Sequence, residues 1–138
     1  MRNCNPLNIR STQKQAATTP WAGQVGSDGS FAVFVNNVFG FRAAFRILRV
    51  YHNKYRLSTI EEVINRWAPP CENHTEQYIQ RVCKMANMQK HQPIYENGHI
   101  VESTIKKLVW AMAVVENGTC EGFNTDEIDK GYKKAFEL

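Results

Sequence analysis

The stretch from Val101 to Gly118, VESTIKKLVWAMAVVENG, decides the architecture. Ile105, Leu108, Val109, Met112 and Ala113 recur at intervals of three and four, which is one face of an α-helix. Asn117 and Gly118 follow, and both residue types tolerate the left-handed conformation that ends a helix. The spacing therefore predicts a helix over 101–116. Glu116 lies four positions after Met112 and seven after Val109, so it continues the apolar stripe. A carboxylate there faces the negative end of the helix dipole, and burial adds a desolvation cost. Both favour the protonated form, which a glycosidase requires of its general acid. The plain alternative is a last turn that leaves Glu116 in solvent.

Outward from this helix, the same periodicity predicts four more. One spans 37–53, with Phe41, Ala44, Phe45 and Leu48 inward and Arg42, Arg46 and Arg49 on a solvated face. A second, over 59–68, opens at the capping box Ser58-Thr59-Ile60-Glu61, turns Ile60, Val63, Ile64 and Trp67 inward, and stops at Pro69-Pro70. A third, over 74–87, starts near Asn73 with Glu76 as its box partner and carries Tyr78, Ile79, Val82, Cys83 and Ala86 as its stripe. The last covers 125–136 and is entered through Asn124-Thr125-Asp126-Glu127. Residues 87–100, with Pro93 and Asn97-Gly98, read as a loop.

A β-hairpin is expected over about 21–35. Trp21, Gly23 and Val25 alternate, Gly26-Ser27-Asp28-Gly29 has turn chemistry, and Phe31 and Val33 alternate again. The first 20 residues are polar and loop-like, ending in Ala16-Ala17-Thr18-Thr19-Pro20. The expected fold class is α+β, mainly α, in one domain over 1–138.

Composition removes several classes. With 43% hydrophobic and 22% charged residues the chain is globular, and no apolar run approaches the ~20 residues of a membrane span. No apolar segment follows Arg2, so no secretory signal is expected and the protein is cytoplasmic as synthesised. A net charge of +4 is too small to imply nucleic acid but suits an anionic polymer such as peptidoglycan. Cys4, Cys71, Cys83 and Cys120 form no metal-ligand pair, and His52, His74, His91 and His99 lack ligand spacing, so no metal is expected. No phosphate loop, dinucleotide fingerprint or Ser-His-Asp set is present, and the expected cofactors are none. Asp28 and Glu72 read as a turn acid and a helix-start acid. Trp21 is the candidate exposed stacking platform, while Trp67 and Trp110 read as core.

Asn5-Pro6-Leu7-Asn8-Ile9-Arg10, Trp21-Ala22-Gly23-Gln24, Phe31-Ala32-Val33-Phe34 and Gly40-Phe41-Arg42-Ala43-Ala44 together resemble a phage-associated family described as virion structural proteins. Arg66-Trp67-Ala68-Pro69-Pro70, the run from Glu72 to Ile79, and that from Ala111 to Gly118 extend the resemblance over nearly the whole chain. More distantly, the order of Asn-rich turn, Trp-Gly hairpin, Phe-x-x-Phe strand and helix is similar to flagellar-type glucosaminidases and lytic transglycosylases. That resemblance implies a lysozyme-like fold of about five helices plus one hairpin. It also implies a peptidoglycan-binding domain that cleaves the glycan strand as a glycosidase or lytic transglycosylase. In those enzymes the catalytic glutamate precedes the hairpin, whereas only a handful of residues precede Asn5 here. Either the domain is not catalytic, or an acid from elsewhere, Glu116 being the candidate, takes its place as in a circular permutation, with Asn8, Arg10, Trp21 and Tyr78 lining the groove. The alternative reading is a non-enzymatic virion or prophage structural protein on the same scaffold. The expected partners are peptidoglycan glycan strands or virion proteins, with no nucleic acid and no membrane insertion, and the expected second location is the virion.

Overall fold

Asn36 starts the longest helix. Its backbone is extended, with φ −158°, and its side chain accepts from the Phe39 amide at 3.1 Å. Helix α1 (Asn37–Tyr55) follows and ends at Arg56 in the left-handed region, φ 60°. The structure, a computed structural model, describes residues 3–11, 20–71 and 73–137. Among these, α1 is followed by α2 (Ile60–Trp67), α3 (Thr75–Ala86), α4 (Glu102–Asn117) and α5 (Thr125–Phe136). Two short antiparallel pairs accompany them, β1 (Gln24–Ser27) with β2 (Ala32–Phe34) and β3 (Tyr95–Glu96) with β4 (His99–Ile100). The fold is thus α+β and mainly helical.

The second hairpin replaces the loop expected over 87–100. Asn97 and Gly98 take φ 53° and 78°, and two consecutive positive φ values suit the tight turn that matches strand twist. Two helix starts also differ from expectation. At α2 the cap is Thr59 with Glu62 as partner, one residue beyond the expected box. At α3 the expected Asn73–Glu76 box does not form. His74 occupies the cap position without a side-chain bond, and the Thr75 hydroxyl instead donates to the Ala68 carbonyl. The Asn124–Glu127 box at α5 forms as expected.

The core gathers around α1. Phe41, Phe45 and Leu48 are fully buried, as are Ile60, Val63 and Ile64 of α2 and Ile105, Leu108, Val109 and Met112 of α4. Helix α5 lies tightly on α1 because Gly131 offers no side chain. A Cβ there would meet the Phe41 Cβ at 2.6 Å and the Arg42 nitrogen at 3.0 Å. Next to it Tyr132 meets Phe45 edge-on, with centroids 5.4 Å apart.

This packing changes the reading of the arginine face. Arg42, Arg46 and Arg49 are half-buried rather than solvated. Arg49 lies over the Phe136 ring of α5 at 5.8 Å, and burial, with Arg46 nearby, lowers the pKa of Arg42. The N-terminal segment is also more than a polar loop. Leu7 and Ile9 enter the core, and Arg10 forms an antiparallel bridge with Phe31 of the hairpin. Residues 12–19, which include Ala16 to Thr19, and the candidate acid Glu72 lie outside the described residues.

Candidate active-site cleft

A buried asparagine builds the site. Asn5 is 1% exposed, yet each of its polar atoms is paired. Its Nδ2 donates to the carbonyls of Ile9 and Ala32, both at 2.9 Å, and its Oδ1 accepts from the Ile9 amide at 2.9 Å. These bonds tie the 5–9 loop to β2. Gly40 in α1 lets the loop lie close, since a Cβ there would be 2.5 Å from the Cys4 carbonyl. From the other side Asn117, the last residue of α4, donates to the Pro6 carbonyl at 2.7 Å.

The loop so held presents Asn8, whose φ of 52° lies in the left-handed region that asparagine tolerates. Its Nδ2 donates to Glu116 Oε1 at 3.1 Å and to the Glu116 carbonyl at 3.2 Å. From α3 the Tyr78 hydroxyl donates to Glu116 Oε2 at 2.9 Å. Burial, and then the adjoining Glu116 charge and hydrogen bond, push the Tyr78 phenol well above its ordinary value of 10. Tyr78 therefore stays a protonated donor across the physiological range. Glu116 is half-buried, its two oxygens each held by a different donor.

Glu116, Asn8, Arg10 and Trp21 line one cleft of about 690 Å³, within the usual range of ligand sites. Tyr78 is buried and reaches this cleft through Glu116. The structure thus brings together all five residues that the sequence nominates. Trp21 departs from the exposed platform expected of it. It is half-buried against the core, and its indole Nε1 is buried with no hydrogen-bond partner among the described residues.

Sequence reasoning missed part of the wall. Phe31, Tyr51 and Trp67 line the same cleft; Trp67, expected in the core, is half-buried and turns toward it, and Trp110 is likewise half-buried. The apolar stripe of α2 runs up to Trp67 just before Pro69-Pro70, a signal that placed the residue but not its exposure. Asn5 was read only as part of a motif and Asn117 only as a helix-ending residue, and neither reading gave its role in holding the loop. Asp28 takes its expected local role, accepting from the amides of Ser30 at 3.0 Å and Phe31 at 2.8 Å. Among the described residues no group of three or more His, Cys, Asp or Glu gathers to hold a metal.

Chemically, the arrangement is a single oriented carboxyl group beside aromatic walls. Such a group can deliver a proton to a bound leaving atom and take one back, and flat rings can stack on the apolar faces of sugars.

These features define a mainly helical protein with a carboxyl-bearing, aromatic-walled cleft. No protein-family model matches the chain. It belongs to the family of Protein P5 of Pseudoalteromonas phage PM2, to which it is 37% identical over 136 residues, covering 99% of this chain and 81% of that protein. That relationship agrees with the phage-associated family that the motifs resemble. No helix among the described residues is long and apolar enough to cross a membrane.

Proposed function

We propose that this protein is a virion component whose domain, lysozyme-like in arrangement, binds and cleaves the glycan strand of peptidoglycan. One observation carries the reading: the Glu116 carboxyl group is oriented by Asn8 and Tyr78 within the 690 Å³ cleft. Glu116 acts as general acid and protonates the glycosidic oxygen as the bond to the anomeric carbon breaks. The resulting carboxylate then accepts the proton of the attacking hydroxyl, from water or from the sugar itself. Asn8 and Tyr78 keep the carboxyl aimed, Trp21 offers a face for stacking, and Arg10 meets charge on the strand.

The test is clearing of a peptidoglycan suspension by wild type and by Glu116→Gln. The substitution keeps the shape and removes the titratable proton, so the clearing rate is expected to fall by about 100-fold or more. Equal clearing by both proteins would remove Glu116 from the mechanism.

A second reading is a virion structural protein without catalysis. Membership in the family of a phage protein supports it, as do the exposed side chains of Val25 and Val35 on the hairpin, 65% and 56% accessible. It predicts no clearing by wild type and co-sedimentation of the protein with intact particles.

A further inference from the structure

Arg10 is exposed and lines the cleft. Its main chain is held by the bridge to Phe31, and its guanidinium lies over the Phe31 ring, 5.5 Å from the centroid. It forms no ion pair with a carboxylate among the described residues. Glu116 is the one carboxylate among the described residues of the cleft wall, and its oxygens are held by Asn8 and Tyr78 rather than by Arg10. Among the described residues the charge of Arg10 thus meets no carboxylate, on a side chain laid over an aromatic face. Unspent charge of one sign in a concave site favours an occupant of the other sign, and the planar guanidinium fork fits a carboxylate.

Arg66 repeats the arrangement beside the cleft. Its guanidinium lies 3.6 Å from the Tyr55 centroid and 5.4 Å from that of Tyr51, and Tyr51 lines the cleft.

Resting on the glycan-cleaving reading above, we propose that Arg10 is a specificity residue. It selects aminosugar chains that carry carboxylates on their substituents over neutral chains of the same backbone. A carboxylate on a side arm of the bound strand meets the guanidinium over Phe31, while the sugar rings pack along the aromatic wall.

The test measures binding by calorimetry in a Glu116→Gln background, which leaves the ligand intact. The two probes are a neutral β-1,4-linked N-acetylglucosamine oligomer and a peptide-bearing peptidoglycan oligomer of equal length. At about 50 mM salt the acidic chain is expected to bind roughly fivefold tighter, and the preference shrinks at about 500 mM as screening shortens the reach of the charge. Arg10→Gln is expected to weaken the acidic chain several-fold more than the neutral one, while Arg10→Lys keeps part of the preference. Equal weakening of both chains by Arg10→Gln, or a preference that survives it, overturns the assignment. Binding of neither chain by any variant overturns the glycan reading itself, a result that is distinct from the first.

Discussion

The Asn8 side-chain amide donates to both the Oε1 and the main-chain carbonyl of Glu116, at 3.1 and 3.2 Å, across 108 positions of sequence. One loop residue thereby satisfies a carbonyl at the C-terminal end of α4, where helices leave such groups unpaired, and aims a side chain of that helix's last turn. Cap and side-chain orientation are the same contact.

Asn8→Ala is accordingly expected to slow peptidoglycan clearing by about tenfold or more, because an oriented donor to the reacting group is lost. It also places a Cβ-bearing residue without a local hydrogen bond at φ 52°, at a cost of about 1 kcal/mol. Asn8→Gly separates the two effects. It relieves the backbone yet still lacks the amide, so thermal stability should recover while the rate does not.

Asn5→Ala tests the clamp beneath the loop. It leaves the Ile9 amide without its partner in a buried place and takes one donor from each of the Ile9 and Ala32 carbonyls, the former keeping the Ala32 amide at 3.0 Å; a buried orphan costs about 1–3 kcal/mol and each lost hydrogen bond about 1 kcal/mol. The expected loss is about 3 kcal/mol or more in urea unfolding. A change under about 1 kcal/mol would show that water replaces the asparagine.

Gly131→Ala sets helix propensity against packing. Alanine should stabilise a helix interior by about 1 kcal/mol. Here the added carbon would fall 2.6 Å from the Phe41 Cβ and 3.0 Å from main-chain atoms of α1, none at the end of a flexible side chain. Overpacking is expected to win by about 2 kcal/mol net, seen as a lower melting temperature. A rise in melting temperature would mean that α1 and α5 are less tightly apposed.

Alkaline stability should follow the tyrosines. Burial first, then Glu116, raises Tyr78 above 10, and burial raises Tyr95 to about 12. A folded value above the unfolded one favours the neutral phenol in the native state. Its contribution is fully present below pH 10 and is lost as pH climbs from there toward the raised folded values. Urea midpoints should therefore be level from pH 8 to about 9.5 and fall by pH 11. The fall should be shallower in Tyr95→Phe, and an unchanged slope in that variant would discharge Tyr95 from the effect.

Much of this architecture was legible locally. The i, i+3, i+4 stripes of Phe41 to Leu48 and of Ile105 to Met112 placed their helices, because one helix face must leave water. Gly118, at φ 74°, ends α4 where an unhindered backbone was expected. The misses have local causes too. Asn97-Gly98 was read as loop although two residues that accept positive φ are a hairpin signal, and the flanking strands, Tyr95–Glu96 and His99–Ile100, are too short to show alternation. Thr75 turned its hydroxyl to Ala68 because the Pro69-Pro70 turn brings that carbonyl within reach, which bypassed the Asn73 box.

The candidate site was legible as a set of residue types but not as a place. Glu116 was singled out by helical phase, Trp21 by its place at the start of the hairpin, and Asn8, Arg10 and Tyr78 with the resemblance. None of their mutual distances follows from spacing. Asn5, Asn117, Tyr51 and Trp67 matter through contacts whose partners lie far away in the chain, so no local pattern announced those contacts.

The sequence by itself determined that five helices form, over which stretches, and which apolar stripes they bury, since hydrogen-bond periodicity and apolar spacing act within a few residues. Tertiary structure alone decided that Asn8, Tyr78 and Glu116 share one carboxyl group and that the arginine face of α1 is half covered by α5. Those outcomes depend on which buried surfaces pack together, and that is settled by the shapes of Gly40, Gly131 and their neighbours across the whole core rather than by any segment read alone.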